Sequence, residues 1–153
     1  MRRLYDESRS RLLPRIPVSL LRLFAKKRFG DVNPYEDWCE PAFEENTLEL
    51  LEDELPRFKS KIRMLHLCFT TDPFMYQYKE VQDMSLAAIK KINDVGVKCL
   101  VLTKGILPIE LSELSKDNEY GVTFINTNEA FRKRMEQGSA PWKKRLAALK
   151  ALH

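Results

Sequence analysis

The sequence has few of the residues on which disulfide, metal and hydrolase sites depend. Its three cysteines are odd in number and widely separated, which excludes the paired framework of a small secreted protein and favours a reducing, cytoplasmic compartment. One of its two histidines is terminal, so no Ser–His–Asp set and no HExxH motif can be assembled. A phosphate-binding P-loop and a GxGxxG fingerprint are missing as well.

Long apolar runs are also missing. A helix that crosses a membrane needs about 20 consecutive apolar residues, whereas the apolar stretch at residues 16–24 is short and contains Arg22. Residues 1–25 loosely resemble a secretory signal, but Pro14, Pro17 and the scattered arginines disfavour that interpretation. The sequence therefore predicts no membrane partner.

Positive charge is concentrated at the amino end of the chain. Residues 1–30 hold nine basic and two acidic residues, a net charge of +7, whereas residues 31–153 have a net charge of −3. The excess of basic residues lies in this lead segment. Residues 31–153 therefore give no support for a nucleic-acid partner.

What the sequence does contain is a regular alternation of apolar runs and amphipathic segments. The apolar runs predict buried strands at residues 63–69, 97–103 and 120–125. Capping signals and helical periodicity predict helices at residues 47–55, 81–92, 109–114, 129–135 and from Pro141 onward. Pro56 bends or ends the first helix, and Gly96 ends the second. The pattern predicts an α/β fold with a parallel sheet covered by helices.

Such a sheet is either a doubly wound open sheet or part of a barrel. In both, ligands meet the loops after the strands, here residues 70–74, 103–106 and 126–128. Three strands are few for either fold, and the last helix reaches His153 without a stop signal. These features favour a fragment, which would self-associate through exposed sheet edges.

The candidate binding residues lie in these loops. Thr70, Thr71 and Asp72 form a turn that either receives an amino group or hydroxyl of a ligand or caps local backbone. Lys104 either grips a carboxylate or phosphate or is a solvated lysine before Gly105. Thr123 and Asn126 are three residues apart, so in a regular strand only one faces a given site.

Other reactive side chains have structural interpretations. His66 is predicted to be a hydrogen-bonded core histidine, and Cys68 and Cys99 to be small buried side chains. The basic runs at residues 132–134 and 143–145 are predicted to be solvated helix faces.

The sequence contains three segments, LHLCFTTDPFMYQYKE, LVLTKG and RKRMEQGSAPWKKRLAAL, in this order. Together they resemble the radical S-adenosylmethionine proteins of the spore photoproduct lyase-like group. LHLCFTTDPFMYQYKE, beginning at Leu65, looks like the second-strand segment of that group. LVLTKG, beginning at Leu100, is similar to its third strand. RKRMEQGSAPWKKRLAAL, beginning at Arg132, looks like the segment after its fourth strand, with Glu-x-Gly-x-x-Pro followed by an Arg-Leu helix. The resemblance covers residues 29–153.

The resemblance implies a partial parallel (β/α) barrel, a TIM-type architecture of which this chain holds three to four strands. The family cleaves S-adenosylmethionine reductively at a 4Fe-4S cluster and abstracts hydrogen from a substrate, which this chain does not identify. It implies that Thr70, Thr71 and Asp72 lie near the amino group of the cofactor, Lys104 near its carboxylate or ribose, Thr123 near the ribose, and Arg145 on the helix behind.

One family feature is missing. The cluster is held by a CxxxCxxC loop, which should precede Ala25, yet the first cysteine is Cys39 and residues 13–24 read LPRIPVSLLRLF. We therefore interpret residues 1–30 as a basic lead segment that is non-native or read in a shifted frame, and residues 31–153 as the partial barrel. A degenerate copy is the other explanation. In either case the chain is expected to be inactive as given.

Two competing functions remain open at this point. One is a non-catalytic α/β binding or scaffold protein that kept the strands and lost the cluster. The other is an unrelated nucleotide-binding or DNA-repair-associated domain recruited through the basic amino-terminal arm.

Overall fold

Three short strands form one parallel sheet. The computed structural model describes residues 46–67 and 72–152. The strands are β1 Met64–His66, β2 Lys98–Thr103 and β3 Glu119–Val122, and β2 lies between the other two. The parallel register places Leu65 opposite Cys99 and Val101 opposite Tyr120. The predicted α/β class with a parallel sheet is confirmed.

The strands alternate with four α-helices. These are α1 Thr47–Phe58, α2 Lys79–Asp94, α3 Glu129–Met135 and α4 Trp142–Ala151. The predicted helix at residues 109–114 is instead a tighter 3₁₀ helix, Ile109–Glu113. Helix α1 continues only two residues beyond Pro56 and then tightens into a 3₁₀ turn, because proline lacks the N–H that the α-helical pattern requires.

Helix α2 packs on the sheet through the face that its periodicity predicted. Ala88, Ile89 and Ile92 are buried there. Gly96 ends the helix with a φ of +80°, a conformation that glycine adopts without the steric cost of a side chain. Its N–H donates to the carbonyl of Asn93 at 2.8 Å.

The two faces of the sheet are covered unequally by the described residues. Along β2, Cys99 and Val101 are fully buried, whereas Leu102 on the opposite face is 41% exposed. His66 is paired with Leu100 on that second face and is also exposed. The prediction that His66 is a core residue is therefore wrong: β1 lies at one side of the three described strands, and His66 is on the sheet face that the described helices leave uncovered.

Strand β3 ends earlier than its apolar run predicted. The N–H of Thr123 donates to the carbonyl of Thr103 at 2.9 Å, and no further ladder bond follows between β3 and β2. Strand β2 has turned away at this point, since the carbonyl of Lys104 accepts from Ala140 N at 2.9 Å. Phe124 and Ile125, without a strand to pair with, are exposed.

A pair of asparagines joins the amino ends of β2 and β3. Asn118 Oδ1 accepts from Cys99 N at 2.8 Å and from Asn93 Nδ2 at 3.0 Å. Its Nδ2 donates to Asn93 Oδ1 at 2.8 Å and to the hydroxyl of Tyr120 at 2.9 Å. The amide groups are thus satisfied by one another and by the backbone, as partly buried polar groups require.

We expect Asn118→Ala to lower the free energy of unfolding by about 2–4 kcal/mol, because several hydrogen bonds are lost and their partners are left unsatisfied. Urea denaturation followed by circular dichroism measures the loss. Asp117→Ala is the matched control: its exposed side chain is adjacent in sequence, and the expected change is within about 0.5 kcal/mol. Equal effects of the two substitutions would show that Asn118 does not stabilise the junction between β2 and β3.

Candidate ligand-binding rim

The carboxyl ends of the three strands gather a set of polar residues that we call the rim. Parallel strands bring their carboxyl ends to one edge of the sheet, which is where α/β proteins bind ligands. Asp72 follows β1, Lys104 follows β2 and Thr123 follows β3. The full rim consists of Asp72, Thr103, Lys104, Thr123, Glu136 and Arg145, which are joined by hydrogen bonds and ion pairs.

Asp72 joins the turn after β1 to the end of β2. Its Oδ1 accepts from Phe74 N at 3.0 Å and from the hydroxyl of Thr103, and its Oδ2 accepts from Lys104 N at 2.6 Å. The bond from Phe74 N to Asp72 forms a capping turn, which is one of the two interpretations that the sequence left open. From residues 46–67 and 72–152, Oδ2 accepts the one bond from Lys104 N, which leaves capacity for a ligand donor.

Thr103 is the buried centre of this junction. Its side chain donates to Asp72 and accepts from Gly105 N at 2.7 Å. Gly105 lies so close to the turn that a Cβ there would stand 1.6 Å from the carbonyl oxygen of Phe74. The two segments therefore meet backbone to backbone, which only glycine permits.

Arg145 lies on α4 and is 1% exposed. Its guanidinium donates to Thr123 O at 2.6 Å, Ala140 O at 2.7 Å, and Glu136 Oε2 and Ser139 Oγ at 3.0 Å each. One of these partners is at the end of β3, and the other three lie in residues 136–140. Arg145 therefore links the end of β3 to that segment.

The prediction of solvated basic faces is wrong for two arginines. Arg145 faces inward, with Ala148, Leu149 and Leu152 on the same side of α4 packed against the core. Arg132 is largely buried as well, and its Nη1 donates to Ser139 O at 2.6 Å. The other members of the two runs, Lys133, Arg134, Lys143 and Lys144, are exposed as predicted.

Glu136 lies between two cations and is 2% exposed. Its Oε2 accepts from Arg145, and its Oε1 is 3.2 Å from Lys104 Nζ. Burial raises the pKa of this carboxyl, but the hydrogen bond from Arg145 and the charges of Arg145 and Lys104 outweigh burial and hold the pKa below its ordinary value. Glu136 is therefore ionised at neutral pH.

The ammonium of Lys104 is the accessible positive charge of the rim. The lysine side chain is 41% exposed, whereas Arg145 and Glu136 are enclosed. An ammonium has three donors, and only one can be directed at Glu136 Oε1. Since the side chain is partly exposed, the remaining donors are available to an anionic group of a ligand.

Of the six residues predicted to bind a cofactor, the structure brings four to one edge, namely Asp72, Lys104, Thr123 and Arg145. Thr70 and Thr71 lie outside the described residues. Sequence reasoning missed Thr103 and Glu136. Glu136 stands in the Glu-x-Gly-x-x-Pro segment, which was the one signal available for it, while Thr103 had only its position at a strand end.

The described residues offer no metal site. They contain no group of three or more His, Cys, Asp or Glu side chains placed to hold an ion. Cys99 is buried as predicted, and burial raises the pKa of its thiol to about 12, so it is protonated and unreactive. Cys39 and Cys68 lie outside the described residues. A 4Fe-4S cluster therefore does not fit the part of the chain that the structure shows.

Two other features lie away from the rim. A shallow depression is lined by residues 61–66 and by Lys98, on and before β1 and at the start of β2. Over residues 46–67 and 72–152, every helix is too short or too polar to cross a bilayer.

Comparisons with known proteins do not assign the chain to a family. No protein-family model, no curated protein and no solved structure matches it. The chemistry of the rim is therefore argued from its own residues.

We expect Gly105→Ala to lower the free energy of unfolding by about 3 kcal/mol, because the new methyl group collides with the backbone of Phe74. Thermal and urea denaturation measure the loss. Gly121→Ala is the control: its Cβ would stand 2.6 Å from Cδ2 of Leu102, the end of a half-exposed side chain that can rotate away, and at an ordinary contact distance of 3.8 Å from the carbonyl oxygen of Val101. A loss at Gly105 no larger than at Gly121 would show that the two segments do not meet as described.

Proposed function

We propose that this chain is a fragment or degenerate member of a radical S-adenosylmethionine enzyme of the spore photoproduct lyase-like group. In that family S-adenosylmethionine is cleaved reductively at a 4Fe-4S cluster to begin hydrogen abstraction from a substrate. The chain is inactive as given and retains the binding of S-adenosylmethionine at the rim. The observation that carries the proposal is the meeting of Asp72, Lys104, Thr123 and Arg145 at the carboxyl edge of three parallel strands.

The coverage of the sheet favours a segment of a barrel over a doubly wound sheet. In a (β/α) barrel, helices cover one face of the strands, and the other face points into the barrel. The described helices bury Cys99 and Val101 on one face, while Leu102 and His66 on the other face are exposed. A doubly wound sheet would have helices on both faces.

The rim is chemically suited to the amino-acid end of S-adenosylmethionine. That end has an ammonium and a carboxylate close together. Asp72 Oδ2 retains capacity to accept from an ammonium, and Lys104 has outward donors for a carboxylate. Thr123 follows β3 directly, and the resemblance assigns its hydroxyl to the ribose.

Arg145 and Thr103 hold this arrangement in place. Thr103 fixes Asp72, and Arg145 fixes the backbone of Thr123 together with Glu136. Because these supporting groups are buried and bonded to one another, the ligand-facing groups are preorganised.

A second candidate is a non-catalytic α/β binding or scaffold protein. It is favoured by the thiols: the sequence has no CxxxCxxC motif, and the one cysteine in the described residues is buried. The two candidates share the rim and differ in whether a cluster can be assembled.

We expect isothermal titration calorimetry to detect binding of S-adenosylmethionine to the purified chain. Lys104→Met should weaken the binding about tenfold, the loss of one charge-assisted hydrogen bond to the ligand carboxylate. Lys144→Met, at an exposed lysine of α4, is the matched control and should bind as the unmodified chain does. A chain that releases no heat of binding, or two variants with equal affinity, would count against the rim as the site.

We expect anaerobic reconstitution with iron and sulfide to leave far fewer than the four irons per chain that a cluster of this class requires. The thiolate-to-iron absorbance band should be weak and should not depend on Cys99, since that thiol is buried. Cys39→Ser together with Cys68→Ser is the control for iron that thiols bind without forming a cluster. A stable complement of four irons after desalting would restore the catalytic alternative and overturn the proposal of an inactive chain.

A further inference from the structure

Glu136 determines the charge that the rim presents to a ligand. Lys104 and Arg145 are both within ion-pair distance of its carboxylate, at 3.2 and 3.0 Å. Two cations and one anion give this triad a net charge of +1. Since Arg145 is enclosed, the surplus is presented at the exposed ammonium of Lys104.

Asp72 adds a negative charge to the rim, next to the backbone of Lys104. Its Oδ2 is 2.6 Å from the backbone nitrogen of Lys104, so the carboxylate lies at the base of the lysine side chain. With Asp72 included, the net charge of the rim is zero, and the rim holds an anionic and a cationic side chain on neighbouring strand ends. This arrangement is complementary to a zwitterion and is mismatched to a dianion.

The position of Glu136 is fixed independently of any ligand. Its N–H donates to Arg132 O at 2.7 Å, and its carbonyl accepts from Ser139 N at 3.1 Å and from Ser139 Oγ at 2.7 Å. Among the described residues, its Oε1 accepts no hydrogen bond, so the charge of Lys104 is what compensates this buried oxygen. The backbone of Glu136 is thus held in place, and its carboxylate stays in the rim without a ligand.

We infer that Glu136 is a specificity-determining residue: by holding the charge of the rim at zero, it makes the rim select the zwitterion of an α-amino acid and reject phosphate groups. The inference rests on the proposed function for its ligand and adds what the rim excludes. Without Glu136 the rim would have a net charge of +1, with Lys104 and the unpaired Arg145 both attracting a phosphate dianion.

The unmodified chain provides the first test. L-methionine and inorganic phosphate are titrated separately, and the backbone amide resonance of Lys104 is followed by NMR. We expect methionine to shift this resonance in a saturable manner and phosphate to bind at least tenfold more weakly. Equal binding of the two, tighter binding of phosphate, or no binding of methionine would overturn the inference.

Glu136→Gln provides the second test. The variant keeps the shape of the side chain and removes its charge, so phosphate binding should strengthen about tenfold, as expected for one added unit charge that acts on a dianion at a hydrated surface. Methionine has no net charge, and its affinity should change less than threefold. An unchanged ratio of the two affinities, or an equal loss of both, would show that Glu136 has only a structural role.

A double variant controls for the buried arginine. Glu136→Gln combined with Arg145→Gln removes one charge of each sign and returns the rim to its original net charge. Its preference for methionine over phosphate should return to that of the unmodified chain, and a preference that stays shifted would contradict selection by charge. If either variant does not fold, the titrations of the unmodified chain decide the inference.

Titration with S-adenosylmethionine separates this inference from the proposed function. A chain that binds methionine but not S-adenosylmethionine would refute the proposed function and leave the selection of a zwitterion in place. A chain that binds S-adenosylmethionine, but binds phosphate as tightly as methionine, would refute the selection of a zwitterion and leave the proposed function in place.

Discussion

The buried guanidinium of Arg145 is the group on which the carboxyl edge of the sheet depends. A charge removed from water is tolerated only when it is paired and its hydrogen bonds are satisfied. Arg145 meets that requirement with the carboxylate of Glu136, the hydroxyl of Ser139 and the carbonyls of Thr123 and Ala140. These partners come from the end of β3 and from the segment between α3 and α4, so one side chain holds two separate parts of the chain together.

Lys104 connects this arrangement to the first strand. Its N–H donates to Asp72, its carbonyl accepts from Ala140, and its ammonium approaches Glu136. The residue that presents the accessible charge is thus held through its backbone on both sides. A ligand that binds at Lys104 contacts a group whose position is already determined by β1, β2 and the segment before α4.

The parts of the fold that depend on local sequence could be predicted, and those that depend on distant partners could not. The buried positions of β2 and the face of α2 at Ala88, Ile89 and Ile92 follow from apolar periodicity, and Gly96 ends the helix as expected. In contrast, nothing in the run Lys143-Lys144-Arg145 shows which residue turns inward. The burial of Arg145 is possible only because Glu136 stands nine residues earlier and meets it in three dimensions.

The contacts that hold the rim together are independent of the cysteines. The rim is held by hydrogen bonds and ion pairs among residues 72–145, and none of those contacts involves a cysteine. A substitution at a cysteine would therefore remove no contact that positions Asp72 or Lys104. The preorganisation of the rim lies in its own network of charges and hydrogen bonds, in which the buried Arg145 and Glu136 support the accessible Lys104.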